Sequence, residues 1–217
     1  MENDPSTPVT WAEAASGILC GGKKLMSSQI ITRTLPSRSQ TLGRNAALVV
    51  GASLFVALCA HITLPLPFTP VPLTLQNFAV LVVGLMLGSR RGFAALALYL
   101  AEGAMGLPFF NPTGPGGIAQ LLGPTGGYLI AYPVVAFVAG WLWERSHRGF
   151  ARAVIAATAA EVVLFAGGIS WLMLIARVSF LQAAAFGLYP FVFAEIMKIM
   201  AASGAAARFG RSYRVKA

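Results

Sequence analysis

The chain has 217 residues, of which 57% are apolar and only 11% charged, with a mean hydropathy of +0.72. A soluble domain carries about twice that share of charges, so the composition points to a membrane protein. The formal charge of +9 does not indicate a nucleic-acid binder, because the basic residues lie in short clusters between apolar runs rather than along one polar face. Cys20, Cys59, His61 and His147 form neither a disulfide framework nor a metal-ligand spacing.

Residues 1–43 include Asp4, Pro5, Pro8, Lys23, Lys24 and a run of Ser, Thr and Gln. They contain no apolar stretch followed by a cleavage site, and are expected to form a mobile cytoplasmic tail. A surface helix over residues 11–19 and an alternative start at Met26 are further readings of this part.

Six apolar runs follow, over residues 46–64, 75–88, 92–107, 125–143, 153–176 and 183–207. A helix of roughly 20 apolar residues crosses the hydrocarbon core. The expected fold is therefore an all-α integral membrane protein, with six transmembrane helices over residues 44–208 and a basic cytoplasmic tail at 209–217. The second and third runs are short, which suits helices that are tilted, broken or covered by neighbours. With the N-terminus inside, every Lys and Arg except Arg177 and Lys198 falls on the cytoplasmic side. The positive-inside rule then places both termini in the cytoplasm, with Trp141 and Trp143 at the inner interface.

The first run holds small residues at Gly51, Ala52, Ala57 and Ala60, which would let another helix approach closely or serve internal packing. The connections over 65–72 and 108–127 carry no charge, and the second is rich in glycine and proline. An uncharged, glycine-rich connection of that length reads as a lid over a cavity, with an ordinary surface loop as the alternative.

Three spans contain carboxylates. Glu102 is near an outer end and within reach of interfacial water. Glu161 is too deep for that, and could meet Arg177 only if the helix breaks near Gly167 and Gly168. Glu195 and Lys198 share one helix face at i, i+3, and Lys198 lies about nine residues, roughly 13 Å, from the nearer end. A charge at that depth costs about 2.5 kcal/mol or more and usually faces the bundle interior. The pair is either a self-neutralising internal ion pair or part of a polar ligand site.

Four motifs stand in order on this frame: Pro70-Val71-Pro72-Leu73-Thr74-Leu75-Gln76, Gly106-Leu107-Pro108-Phe109-Phe110, Gly123-Pro124-Thr125-Gly126-Gly127-Tyr128 and Ala194-Glu195-x-x-Lys198. Together they resemble BioY, the biotin-specific S component of energy-coupling factor (ECF) vitamin importers, over about residues 44–208. The resemblance implies a protein of the cell (inner) membrane that binds biotin from the outer side. It also implies a transmembrane coupling protein and cytoplasmic ATPases as partners, and no cofactor. Consistently, the chain has no G-x-x-x-x-G-K-[ST] phosphate loop of its own. In the family, a polar residue of the outer loop and an acidic residue plus a lysine of the last helix contact the ligand. The matching positions are Asn111, Glu195 and Lys198, although the acidic position is often aspartate in the family. Small residues of the first helix face the coupling protein.

The residues suit that ligand. Biotin offers ureido N–H donors and a carbonyl, a thioether ring and an acidic tail. Glu195 can accept from the ureido group, Asn111 can donate and accept, and Lys198 can pair with an anion or hold Glu195 ionised. Tyr128 and Phe109 can wall the ring, with interfacial placement as the alternative for Tyr128. Gln76 can meet the ligand or cap its helix. Other functions left open are an S component for another vitamin and a solitary proton-coupled carrier. An intramembrane hydrolase fits poorly, since Ser53, Ser170 and Ser203 have no deep histidine nearby and His61 is at an outer end. A homo-oligomer remains possible.

Overall fold

The computed structural model describes residues 38–146 and 149–210. The readings placed on residues 1–37 and 211–217, including the surface helix over 11–19 and the start at Met26, lie outside the described residues. Helix α1, Arg38–Ala60, begins within the stretch expected as tail. A short antiparallel ladder follows, β1 (Thr63–Leu64) against β2 (Leu73–Thr74), which the all-helical expectation did not include. Pro65, Pro67, Pro70 and Pro72 lack the N–H groups a helix would need, so this segment turns back on itself instead.

Helices α2 (Gln76–Leu87) and α3 (Ser89–Ala104) are joined at Gly88 alone, with φ at +84°, a conformation that favours glycine. The join is held from α5 (Gly126–Glu144). Glu144 accepts from the Ser89 N–H at 2.9 Å and from the Ser89 hydroxyl at 2.7 Å, placing a carboxylate at the positive start of α3. Within the 108–127 connection lies a single turn-and-a-half helix, α4 (Gly117–Leu121).

Helix α6 runs unbroken from Phe150 to Ala176, through Gly167 and Gly168. Those glycines do not break it; they let α5 approach, since a Cβ at Gly168 would overlap the Tyr128 ring. Helix α7 (Phe180–Gly187) starts with a capping box between Ser179 and Gln182. It gives way to α8 (Val192–Phe209) at a bend of 57°. The expected straight sixth helix over 183–207 is thus two helices. Pro190 has no N–H to donate and disfavours helix at Tyr189.

Helix α2 is the hub, packing against α1, α3, α5, α6 and α8, with Ala79, Val80 and Leu81 fully buried. Its 12 residues reach only about 18 Å, a length tolerable where neighbours cover the ends. Leu58, Ile155, Val162, Leu174, Phe193 and Met197 are exposed on the outside, as on a surface facing lipid. Helices α1, α5 and α6 are each long and apolar enough to cross a membrane, and the bent pair α7–α8 makes a fourth candidate. Helices α2 and α3, at 12 and 16 residues, do not meet that length by themselves. Trp141 is at the surface with the Arg145 guanidinium 4.1 Å from its ring centre. Trp143 is buried, which corrects its expected place in an interfacial belt: it turns inward from the same helix.

Candidate functional site

The break between α7 and α8 does more than bend a helix. It moves the start of α8 into the bundle, so that Glu195 falls in that helix's first turn, where the aligned N–H groups favour a carboxylate. Lys198, one turn on, donates to Glu195 Oε1 at 2.7 Å, and both side chains are about nine-tenths buried. Glu195 Oε2 accepts from Asn77 Nδ2 of α2 at 2.6 Å, and the same amide nitrogen donates to Glu161 Oε1 of α6 at 2.7 Å. Four buried residues from three helices therefore form one network. Glu161 finds its partner in Asn77 rather than in Arg177, which corrects the pairing that a broken α6 would have allowed. Among the described residues, Glu161 Oε2 and Asn77 Oδ1 are buried and have no hydrogen-bond partner.

Asn77, Glu195 and Lys198 of this network form one wall of a cavity lined also by Val71, Gln76, Asn111, Tyr128, Leu129, Tyr132, Leu164, Phe165 and Phe191, with Glu161 behind that wall. Gln76, Asn111, Tyr128, Glu195 and Lys198, read from the sequence as ligand contacts, lie around this cavity, whereas Phe109 is not among its lining residues. Gln76 donates to the Tyr99 hydroxyl at 2.8 Å, which in turn donates to the Phe109 carbonyl at 3.2 Å. It thereby ties α2 to the 108–127 segment. Asn111 is buried, with its Oδ1 accepting from the Thr113 N–H at 3.2 Å and hydroxyl at 2.6 Å. Tyr128 donates to the Gly187 carbonyl at 2.9 Å and meets Phe165 edge-on.

Two connecting segments contribute to the cavity lining through Val71, Pro72 and Asn111. The 65–72 segment reaches α7, where the Thr69 hydroxyl donates to the Phe186 carbonyl at 2.6 Å. The 108–127 segment is anchored by Trp171, which donates to the Gly123 carbonyl at 2.9 Å. Inside it, Gln120 is buried, accepting from Gly116 N–H and donating to the Asn111 carbonyl. The cavity measures about 50 Å³, room for a few waters, so a larger ligand requires its lining to rearrange.

Asn77, Glu161 and Gln120 were not read as site residues from sequence. The depth of Glu161 was a signal, but its partner lies on another helix. Asn77 stands beside Gln76 at a helix start, where a polar residue ordinarily caps. On α1, Ala52, Ala57 and Ala60 are buried within the bundle, whereas Gly51 is exposed. Glu102 Oε2 is buried without a partner among the described residues and lies off the cavity. Among the described residues, no group of His, Cys, Asp and Glu is placed to hold a metal.

A profile of the BioY family matches residues 28–215. The chain belongs to the BioY family. Among similar proteins, the probable biotin transporter BioY of Pyrococcus horikoshii is 40% identical over 147 residues, covering 67% of this chain and 85% of that protein. The biotin transporter BioY of Thermotoga maritima is 37% identical over 158 residues, covering 71% and 90% respectively. A solved structure, the S component for biotin from an ECF-type ABC transporter, superposes with a TM-score of 0.74 over 82% of this chain and 95% of that one, at 23% identity. That likeness speaks for the fold: a helical S-component architecture. BioY membership makes this chain a membrane transport protein and not an enzyme.

Proposed function

We propose that this BioY-family chain is the biotin-binding S component of an ECF importer, dependent on a transmembrane coupling protein and cytoplasmic ATPases for energy. The observation that carries the reading is the enclosed network of Glu195, Lys198 and Asn77 facing Asn111 across apolar and aromatic walls. Ligand sites of this type are mostly apolar, with a few fixed polar groups that set orientation. Glu195 retains acceptor capacity for a ureido N–H, and Lys198 has donors left for an anionic group. With Asn111 Oδ1 taken by Thr113, its amide nitrogen is the end available to a ureido carbonyl.

In this reading six helical segments cross the membrane, α2 and α3 included, the bent pair α7–α8 forming the last. Both termini lie in the cytoplasm, and the 65–72 and 108–127 segments are an outward lid. The coupling protein docks on α1 at Gly51, where Ala47 and Gly43, one and two turns before it, are also exposed. The stripe replaces the buried Ala52, Ala57 and Ala60 as the close-approach face.

A thermal-shift panel of the purified protein with biotin, thiamine and riboflavin tests the ligand. Stabilisation by biotin alone is the expected result, because a ligand bound only by the folded state raises its stability by mass action. Stabilisation by thiamine or riboflavin instead reassigns the vitamin. Co-purification of coupling protein and ATPases from the native membrane tests the importer; biotin uptake by the chain alone, driven by a proton gradient, contradicts it.

A further inference from the structure

We propose that Asn77 is a ligand-reading residue of this cavity, its side-chain carbonyl taking an N–H of the bound molecule, and that Glu161 is the positioning residue that keeps it turned that way. The inference rests on the biotin reading only for the choice of probe; the donor pattern comes from the geometry.

An asparagine amide has two N–H donors on one end and an acceptor on the other. Both donors of Asn77 are used, at 2.7 Å to Glu161 and 2.6 Å to Glu195. Its Oδ1 is buried without a partner, in a side chain 4% exposed that lines the cavity. Buried acceptors are rarely left unpaired, and each such exception calls for an explanation. Among the described residues none offers a donor, so the bound molecule is the natural source of one.

The orientation is fixed. Turning the amide over would set its carbonyl against the two carboxylates and give up both N–H···O contacts. Glu195 alone would hold one N–H, and it is already engaged by Lys198. Glu161 holds the second and makes no other hydrogen bond through its carboxylate. It thus acts on the ligand through Asn77.

Asn111 is oriented the opposite way. Its carbonyl is held by Thr113, which leaves its NH₂ as the donor. The cavity therefore presents one fixed amide oxygen and one amide NH₂, the complement of an N–H next to a C=O. Cyclic ureas, lactams and secondary amides carry that pair; phosphates and quaternary thiazoliums do not. The ligand class is narrowed to an N–H/C=O ring.

The test uses the full chain in detergent, titrated with biotin and with two analogues methylated at one or the other ureido nitrogen. The wild type should bind both analogues roughly tenfold or more weakly than biotin, one methyl group meeting the Glu195 carboxylate and the other the buried Asn77 carbonyl; discrimination is read as that penalty for the analogue blocked at Asn77. In Asn77→Ala that discrimination should collapse to near unity while biotin itself binds more weakly. Glu161→Gln, which still accepts from Asn77, should keep both affinity and discrimination. Glu161→Met should lose about tenfold in biotin affinity and weaken the discrimination, with unliganded melting temperature close to that of Glu161→Gln. A purely structural tie between helices predicts instead that analogue discrimination survives in every folded variant, and that result overturns the proposal. Should Asn77→Ala not fold, the two Glu161 variants decide: equal discrimination in both overturns it. Absence of biotin binding by the wild type overturns the biotin reading and this inference with it, whereas binding with unchanged discrimination overturns the inference alone.

Discussion

Lys198 Nζ lies 2.7 Å from Glu195 Oε1, both on α8, the helix that follows the bend after α7. Neither residue is isolated: Glu195 is also bonded to Asn77, and Lys198 has further donors free for a ligand. Lys198→Met keeps length and flexibility and removes the charge. Losing one partner of a buried charged pair costs about 3–5 kcal/mol, so biotin affinity should fall by roughly two to four decades. The variant should still insert and fold, since methionine suits an apolar helix. A merely structural ion pair predicts the reverse, lower thermal stability with affinity unchanged. Measuring unliganded stability and biotin affinity on one sample separates the two.

Pro190 sets the bend that places Glu195 at a helix start. Pro190→Ala restores an N–H and permits α7 and α8 to join. A straighter segment would draw the Glu195 carboxylate away from Asn77. The expected outcome is at least a tenfold loss of biotin affinity in a protein that remains folded. Affinity equal to wild type would mean that the bend is held by packing alone.

The contrast between these residues shows what one sequence discloses. The bounds of α2, α5 and α6 follow closely from apolar runs set between charged or proline-rich stretches, because charge is costly in lipid and proline interrupts a helix. The break at Pro190 was legible in principle from Gly187 and Pro190, but hydropathy counts do not register a missing N–H. Glu195 and Lys198 stood out because charge in an apolar run is costly wherever it lies. Asn77 did not, since its role depends on Glu161 and Glu195 converging from two other helices. Likewise, which small residues of α1 face outward depends on α2 and α3 packing against it, a relation no local pattern records.

Packing between α5 and α6 should be intolerant of added volume. A Cβ at Gly168 would overlap the Tyr128 ring. Gly168→Ala is expected to destabilise by about 1–3 kcal/mol through overpacking, lowering the melting temperature in detergent. Gly204, with nothing within 4 Å of an added Cβ, is the control: Gly204→Ala should be neutral or gain up to about 1 kcal/mol from helix propensity. Equal melting temperatures for the two variants would contradict the close approach.

Thr113 is exposed in the 108–127 segment, next to Asn111. A cysteine placed there should react with an impermeant thiol reagent in intact cells, and more slowly once biotin is bound. Cys59 is buried and should contribute little background. Labelling seen only after permeabilisation would invert the proposed topology.

The central claim is that one biotin occupies the cavity bounded by Asn77, Asn111, Glu195 and Lys198. Calorimetric titration of the purified protein with biotin tests it most directly. The account predicts saturable heat at one biotin per chain, lost or weakened by decades in Lys198→Met. A flat titration for folded wild-type protein, or one-to-one binding that Lys198→Met leaves untouched, would contradict it.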